Sequence, residues 1–500
     1  MKSISNLVNK YKNISAPVKA SLWYTVGSVI NKGIALFLTP IFTRILTTAQ
    51  YGAFSIFQSW VNILIIFTSL NIFLSGYQKG LLLYKEDRDR FTSSQLGLTS
   101  FITLCFFAIY LMNIDFFTRL FDLSPILMMG MFLELLFMPA LEFWAARQRF
   151  DYKYKKYVLI SVSVSVLSLV LGVVSVISTK YKLEARAFSD VVSKLVFMIP
   201  LFILIFSQGK KFFVKEYWKY ALVFNLPLIP HYLSNYVLNQ SDRLMIGNMV
   251  GKSEAAFYSV AYTISTMMML IVTSVNNSLT PFIYKSIESG EVKNLKKVTA
   301  PIIFLMALLC LLTVIFAPEV IYIFAGKKYM DAIYVIPPVA ISVFFVFLYS
   351  LYSTIEYYYQ QTGYIALATT LSAVLNLVLN FIFIKKFGYY AAGYTTLICY
   401  VFLSFAHYYF YKKIVREKLH KNSIFNDRLI LVISLCITLI MMGLTLTYSN
   451  LIVRYLFAIL IFVCVFVKRN ITLRRVECYE RCKIYPRKRD KTRYTSYLPI

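Results

Sequence analysis

The chain has 500 residues, of which 59% are apolar and 15% are charged, and its mean hydropathy is +0.65. A soluble globular domain carries about 25% charged residues, so this composition excludes water as the main solvent of the surface. The formal net charge of +29 would favour a nucleic-acid ligand only on a solvent-exposed domain. No hydrophilic stretch is long enough to form such a domain, and we expect no nucleic-acid partner.

Fourteen apolar segments follow one another along the chain, and each is long enough to cross a bilayer. A crossing helix needs roughly 20 residues, because the hydrocarbon core is about 30 Å thick. The first seven predicted spans are 18–38, 53–75, 95–112, 126–145, 158–177, 187–206 and 221–238. The other seven are 257–279, 299–316, 332–352, 365–384, 391–410, 429–446 and 451–467. The sequence therefore predicts an all-α polytopic membrane protein with about fourteen transmembrane helices.

Basic residues alternate between the loops that join these spans. Of the 52 Lys and Arg residues, 38 fall in the N-terminal segment, the loops after even-numbered spans and the C-terminal tail, whereas 12 fall in or beside the loops after odd-numbered spans. Because Lys and Arg near span ends stay on the cytoplasmic side, both termini are predicted to be cytoplasmic. The basic tail is expected either to lie on anionic membrane lipids or to serve only as a topology anchor.

A weak internal repeat divides the first twelve spans into two sets of six. The segment 44–55 (RILTTAQYGAFS) has its counterpart at 248–259 (NMVGKSEAAFYS). Each segment joins the first and second spans of its set, so the sets share one orientation, as in transporters built from parallel repeats. The predicted domains are a six-helix lobe at 1–210, a six-helix lobe at 211–420, two additional helices at 421–468 and a cytoplasmic tail at 469–500.

A few ionisable residues lie well inside predicted spans, where a charge is costly and marks a substrate or ion pathway. Lys32 lies in the middle of the first span. Glu134 and Glu142 are eight residues apart in the fourth span, so they share roughly one helical face. Asp190 and Lys194 in the sixth span are i,i+4 neighbours, and they are either a neutral structural pair or part of the pathway.

The types of these residues suggest two different ligands. Buried cations at Lys32 and Lys194 suit an anionic substrate, because Lys replaces the hydration of a phosphate or pyrophosphate with charge-assisted hydrogen bonds. The carboxylates Glu134, Glu142 and Asp190 suit coupling to a Na⁺ or H⁺ gradient.

Other polar residues are assigned to the joints and the membrane surface. Arg44, Asp242 and Arg243 lie at the two equivalent joints, where they either border the pathway or are simply solvated. Glu356 is expected to be a snorkelling surface group. His407 is expected to be either a neutral packed imidazole or a proton carrier.

Motifs for nucleotide, metal or covalent chemistry are not found in the sequence. The segment 247–253 imitates a phosphate loop but has three residues between its glycines where four are needed. Cys478 and Cys482 have no histidine nearby and make a poor zinc site. No catalytic residue, resident cofactor or metal is therefore predicted.

The segment 38–54 (LTPIFTRILTTAQYGAF) resembles the first joint of the Wzx-type polysaccharide flippases. The segments 227–230 (PLIP), 241–247 (SDRLMIG) and 256–261 (AFYSVA) are similar to the start of that family's second half, although a glycine is frequent where this chain has Ala256. The resemblance implies two six-helix lobes around a central cleft, often with two further helices. The superfamily also holds the multidrug and toxic compound exporters and the lipid II flippases.

The resemblance also implies transport and not catalysis. Members move undecaprenyl-pyrophosphate-linked oligosaccharides from the inner to the outer face of the bacterial plasma membrane, for O-antigen, capsule or exopolysaccharide synthesis alongside a polysaccharide polymerase. Basic residues of the cleft are expected to meet the pyrophosphate. Arg44, Asp242 and Arg243 match family motifs by position, and we add Lys32 and Lys194 from their location inside spans.

Alternative functions stay open at this stage. A MATE-type, cation-coupled drug exporter would use buried carboxylates, and Glu134, Glu142 and Asp190 could serve it. A membrane enzyme, such as a polysaccharide polymerase or a glycosyltransferase, would need a sizeable external loop with catalytic acids or bases, and no predicted loop is long enough. A structural scaffold would carry no buried charge.

Overall fold

The structure is a computed structural model that describes residues 16–459. Within this range the chain forms helices joined by turns and contains no strand, which confirms the predicted all-α class. The predicted tail at 469–500, residues 460–467 of the last predicted span, and both Cys478 and Cys482 lie outside the described residues.

Eight helices precede residue 210 and form the first set. They are α1 (Ala16–Ile45), α2 (Thr48–Ser69), α3 (Ser75–Leu83), α4 (Arg88–Met112), α5 (Ile114–Phe121), α6 (Pro125–Phe150), α7 (Tyr154–Ser178) and α8 (Lys182–Gly209). Six of them, α1, α2, α4, α6, α7 and α8, match the first six predicted spans in order. The short helices α3 and α5 lie in connections that the sequence analysis left unassigned.

The second set follows from residue 215. Its helices are α9 (Lys215–Asn225), α10 (Ile229–Met249), α11 (Lys252–Thr266), α12 (Met269–Glu288), α13 (Lys293–Ile315), α14 (Ala317–Ala325), α15 (Ile336–Tyr358), α16 (Thr362–Phe387) and α17 (Tyr390–Leu419). A further helix, α18 (Asp427–Thr445), comes after the set. Helices α11 and α12 together provide one span, the predicted 257–279.

Eleven segments of the described chain are long and apolar enough to cross a membrane. The predicted spans at 221–238 and 391–410 are helical but are not among them. For the first of these the reason is chemical: α10 carries Asn235, Asn239 and Asp242, which lower its hydropathy. The last predicted span is described only to residue 459, so fourteen spans are consistent with the structure.

Prolines act differently at two places. Pro40 lies inside α1, which continues through it to Ile45. Pro227 lies in a 3-10 turn (Leu226–Leu228) that separates α9 from α10, because proline removes a backbone donor and clashes with the preceding turn.

The packing brings the two sets together along a few helices. In the first set, α2 packs against α4, α6 and α8, and α7 packs against α1 and α8. In the second set, α17 packs against α15 and α16, and α10 packs against α11 and α16. The sets meet where α2 lies against α10 and α11 and where α1 contacts α14. The lobe bounds at 1–210 and 211–420 stay a prediction.

The chain also divides into two compact units, Met1–Met442 and Gly443–Ile500. The described part of the second unit consists of the last residues of α18, a turn at 446–449 and helical residues 451–459. All features discussed below belong to the first unit.

The segments identified as repeats contact each other, and we call this region the joint contact (Thr48, Gly52, Lys252 and Ser253). The Thr48 and Ser253 hydroxyls lie 3.0 Å apart. A Cβ atom added at Gly52 would overlap the backbone oxygen of Lys252, so only glycine allows this close approach. The N-terminus of α2 is fixed here by a capping box in which Thr47 and Gln50 satisfy each other's backbone N–H groups.

Candidate functional site

A cavity of about 800 Å³ opens between the two sets of helices. One side is formed by α1, through Val29, Lys32 and Leu36, and the rest by α10, α11, α12, α15 and α17. Its size is in the range of pockets that hold small-molecule or cofactor ligands.

Lys32 is the one charged side chain among the described residues that line this cavity. The opposite wall presents neutral hydrogen-bonding groups on apolar surroundings. They are Asn235, Asn239 and Gln240 of α10, Tyr262, Thr263 and Thr266 of α11, Ser342 and Tyr349 of α15, and Thr396 and Tyr400 of α17. One cation facing a wall of amides and hydroxyls can bind an anionic group and a hydroxyl-rich group at the same time.

Two smaller spaces adjoin α1 beside the cavity. The first, of about 390 Å³, contains Lys32 and Arg149 together with the hydroxyl groups of Tyr24, Ser28 and Thr273. The second, of about 590 Å³, is an apolar groove between Val29 of α1 and the α12 and α13 side chains Leu270, Ile271, Val275, Leu279, Phe282, Val298 and Ile302. Lys32 therefore lies where a polar chamber, the main cavity and an apolar groove come close together.

Lys194 lies in a buried cluster of alternating charge in the first set. Its ammonium group is 2.6 Å from Glu134 Oε1 and 2.7 Å from Asp190 Oδ2. Asp190 also accepts hydrogen bonds from Gln58 and Ser168. The i,i+4 pairing of Asp190 with Lys194 is thus present, and Glu134 is added from a neighbouring helix. None of these three residues lines the described cavities.

Arg186 completes this charge cluster. Its guanidinium lies 3.7 Å from Asp190 and is held between the rings of Phe42 and Phe54, at 4.2 and 4.3 Å from their centroids. The predicted spans 158–177 and 187–206 place Arg186 in a loop, but α8 begins at Lys182 and carries it into the protein. The cluster balances two cations against two carboxylates, Glu134 and Asp190.

Glu142 differs from the other two carboxylates predicted for ion coupling. It is half-buried on α6 and forms no hydrogen bond or ion pair within the described residues. Arg149 and Tyr236 are its electrostatic neighbours, and Tyr236 lines the main cavity.

Asp242 is fully buried and has no ion-pair partner within residues 16–459. Its carboxylate accepts hydrogen bonds from Tyr258, from Asn380 Nδ2 at 2.5 Å and from Thr396 at 2.9 Å. Asn376 extends the network, because its amide oxygen accepts from both Asn380 and Ser241. Among these residues only Thr396 reaches the cavity. A carboxylate held by neutral oxygen-bearing groups has the chemistry of a site for a hard monovalent cation or a proton.

Arg243 lies beside the cavity and contacts three of its lining residues. Its guanidinium donates to the Gln240 side chain and to the Asn239 carbonyl at 3.3 Å and lies 4.7 Å from the Tyr262 ring centroid. Arg243 therefore positions the polar wall of the cavity.

Arg44 lies at the end of α1, away from the cavity. It is exposed and donates a hydrogen bond to the Ile323 carbonyl of α14 at 3.0 Å. Thr43 bonds the Phe324 carbonyl at 3.1 Å, and Lys328 bonds the Leu46 carbonyl at 2.7 Å. These contacts join the first set to the second beside the joint contact.

Several functional candidates were not predicted from the sequence. The amides of α10 have a signal in the low hydropathy of that helix, which was not used as an indication of a binding surface. Glu356 was expected at the membrane surface, and this is wrong: it is fully buried against His407, because the 30-residue helix α17 covers it.

Comparison with known protein families gives two overlapping matches. The model described as polysaccharide biosynthesis protein matches residues 18–287, more than half of the chain. The MatE model matches residues 227–382.

Individual relatives are remote. An uncharacterized membrane protein of Haemophilus influenzae is 21% identical over 375 residues, which cover 72% of this chain and 88% of the relative. A probable low-salt glycan biosynthesis flippase of Haloferax volcanii is 23% identical over 223 residues, which cover 44% of this chain and 45% of the relative.

Among solved structures, the lipid II flippase MurJ in an inward closed conformation is similar, with a TM-score of 0.66 and 16% identity. The match covers 90% of this chain and 99% of MurJ. At this identity the likeness establishes the fold. The family match shows that the chain belongs to the polysaccharide biosynthesis protein family, and its apolar helices make it a multi-pass membrane protein with the fold of the flippase MurJ.

Proposed function

We propose that this protein moves an undecaprenyl-pyrophosphate-linked oligosaccharide from the inner to the outer leaflet of a bacterial plasma membrane. The observation that carries the proposal is the position of Lys32, the one charged residue of the described cavity wall, between a polar chamber and an apolar groove. These three environments correspond to the three chemical parts of a lipid-linked sugar.

Each part of the substrate has a matching surface. The pyrophosphate would be bound by Lys32 and Arg149 in the small polar chamber, because charge-assisted hydrogen bonds replace its lost hydration. The sugars would lie against the amides and hydroxyls of α10, α11 and α17 in the main cavity. The polyprenyl chain would follow the apolar groove between Val29 and Leu270 and remain in lipid.

The proposed direction follows from the charge distribution of the loops. If the termini are cytoplasmic, the joint contact near Thr48 lies at the outer end of the transporter, and the chamber with Tyr24 and Arg149 lies toward the cytoplasm. The two sets are in contact at the outer end, so substrate would enter from the inner leaflet. Separation of the joint contact and closure near Arg149 would then release the substrate outside, where a polymerase could use it.

The energy source is a second part of the proposal. Glu134 and Asp190 are already neutralised by Lys194 and Arg186, so they are poor binding sites for a coupling ion. Asp242 forms no ion pair within the described chain, since the neighbouring Arg243 side chain is bonded to Gln240, and it touches the cavity through Thr396. We assign Na⁺ or H⁺ coupling to it.

A MATE-type drug exporter is the alternative, and the MatE match at 227–382 supports it. An organic cation needs a carboxylate or an aromatic cage in the cavity. The described lining of the main cavity has Tyr236, Tyr262, Tyr349 and Tyr400 but no carboxylate, and its one charge is positive. The electrostatics therefore favour an anionic substrate.

The decisive experiment begins with deletion of the gene. We expect a lipid-linked oligosaccharide to accumulate on the inner face of the membrane and to be exported again when the wild-type protein is supplied. If no such lipid accumulates, the proposed function is wrong.

Variants of Lys32 then test the cavity. Lys32→Met should reduce export by about ten- to a hundredfold, because a charge-assisted hydrogen bond contributes about 1.5–3 kcal/mol and 1.4 kcal/mol corresponds to tenfold. Lys32→Arg should retain most export, since the charge stays in place. Lys293→Met, which removes an exposed cation that lines none of the three described cavities, is the matched control and should have no effect.

A further inference from the structure

Glu356 of α15 and His407 of α17 form a fully buried pair that the proposed transport mechanism does not use. Both side chains are 0% exposed. The His407 Nδ1 atom lies 2.8 and 3.0 Å from the two carboxylate oxygens of Glu356. The other ring nitrogen, Nε2, is buried without a hydrogen-bond partner within the described residues.

This arrangement can exist in two protonation states. With a carboxylate and a neutral imidazole whose Nδ1–H donates to it, the pair carries one uncompensated negative charge. Uptake of one proton from water makes the pair neutral, either as carboxylic acid with imidazole or as carboxylate with imidazolium. A buried net charge is costly, and an imidazole ordinarily titrates between about pH 5 and 8.

Within the described residues Glu356 forms no ion pair with a Lys or Arg, and His407 is the group that acts on it electrostatically. The basic residues of α17 that follow His407 are Lys412, Lys413, Arg416 and Lys418, and α12 and α13 carry Lys285, Lys293, Lys296 and Lys297. None of them is paired with Glu356 in the described chain. Lys412 and Asp427 form their own ion pair at 2.9 Å.

The pair is connected to the cavity by stacked rings. Tyr349 stacks on His407 with a centroid distance of 5.5 Å and on Tyr400 with a distance of 6.4 Å. Both tyrosines line the cavity, and the Tyr400 hydroxyl lies 3.4 Å from the Asn239 amide oxygen. A change of charge or tautomer at His407 therefore acts one ring away from the substrate surface.

We propose that Glu356 and His407 form a proton-binding site behind the cavity wall, which takes up and releases one proton and passes its charge state to the cavity through Tyr349. This site is separate from Asp242 and does not depend on the identity of the transported lipid.

The chain offers a direct test because it contains three histidines. Full-length protein labelled with ¹⁵N-histidine is reconstituted in lipid nanodiscs and titrated by solid-state NMR, which distinguishes the two neutral tautomers from imidazolium. His420 is exposed and serves as the solvent control. His231 is half-buried beside Asn235 and Thr369 and is the control for burial without a carboxylate.

We expect the His407 signal, identified by its loss in His407→Gln, to change tautomer or charge as the pH is varied. Glu356→Gln should abolish this change and leave His231 and His420 as they were. A His407 signal that stays constant while His420 titrates would overturn the proposal, as would an unchanged titration in Glu356→Gln. If Glu356→Gln does not fold, the wild-type titration alone decides, and no outcome depends on glycan transport.

Discussion

The two sets of helices treat buried charge in opposite ways. In the first set, Glu134 and Asp190 are neutralised by Lys194 and Arg186, all within a single cluster. In the second set, Asp242 is held by neutral donors, and Glu356 meets only a histidine. The charge cluster of the first set is therefore balanced by its own cations, whereas Asp242 and Glu356 of the second set form no ion pair with a Lys or Arg within the described residues.

This difference suggests that the two sets of helices, although similarly arranged, have different roles in transport. A neutral cluster stabilises the packing of α6 against α8 and needs no change during transport. A buried carboxylate without a permanent counterion can be neutralised by a bound proton or cation, and such a change of charge is what coupling to an ion gradient requires. The following variants test that contrast.

The largest expected loss of stability comes from Lys194→Met. Removing the ammonium leaves Glu134 and Asp190 buried with only the more distant Arg186, and breaking a buried ion pair in this way costs about 3–5 kcal/mol. The measurement is the free energy of unfolding of the purified protein in lipid. Adding Glu134→Gln to Lys194→Met should recover part of the loss, because it removes the unpaired charge.

The matched control for Lys194 is Lys153→Met. Lys153 pairs with Asp151 at the surface, with 60% of its side chain exposed, so its loss should cost at most about 1 kcal/mol. If Lys194→Met kept the wild-type stability but lost export, Lys194 would belong to the substrate cleft, as the sequence suggested.

The next largest loss of stability is expected when Asp242 is substituted. Asp242→Asn preserves the shape of the side chain but disturbs the bonds from Tyr258, Asn380 and Thr396, which should cost about 1–3 kcal/mol. Because the ionisable group is gone, export by the folded variant should no longer respond to the Na⁺ or H⁺ gradient. Export would be measured in cells or vesicles with each gradient collapsed in turn. An Asp242→Asn variant with the wild-type gradient response would remove Asp242 from the coupling mechanism.

The substitution Gly52→Ala tests the joint contact between the two sets of helices. The added Cβ would overlap the Lys252 backbone oxygen, so α2 and α11 must separate, at an expected cost of about 1–3 kcal/mol for overpacking. Cross-linking of Thr48→Cys with Ser253→Cys in a cysteine-free background should fall in this variant, because the joint is held apart.

The control for the joint is Gly363→Ala, since no atom lies near the added Cβ at that position. It should leave cross-linking unchanged and alter stability by no more than about 0.5 kcal/mol. Equal cross-linking in Gly52→Ala and the wild type would mean that the contact at Gly52 does not hold the joint closed. The repeat equates Gly52 with Ala256, and at Gly52 the Lys252 backbone oxygen occupies the place that a Cβ atom would need.

Part of this difference between the two sets could be predicted from the sequence, and part could not. Helical periodicity predicted the pairing of Asp190 with Lys194, since i,i+4 contacts are local. Periodicity could not predict that Glu134 joins the pair, because Glu134 lies on another helix. It could not predict the burial of Arg186 either, because that burial depends on where α8 begins. Glu356 was misplaced for a related reason: its position at the end of a span suggested exposure, and only the packing of α17 determines that it is buried. Hydropathy found the crossing segments because lipid acts on every residue of a span, whereas a site depends on contacts between spans.

The smallest effect is expected at Arg44, although its family motif suggested a role at the pyrophosphate. Its side chain is exposed and holds one carbonyl of α14, a bond whose net contribution is about 0.5–1.5 kcal/mol. Arg44→Ala should therefore slow export only a few-fold, well below the loss expected for Lys32→Met, when both are compared at equal protein levels in membranes. The test separates two kinds of basic residue that the sequence placed together. Equal losses for Arg44→Ala and Lys32→Met would show that Arg44 meets the substrate during the cycle, once the joint between the sets has opened.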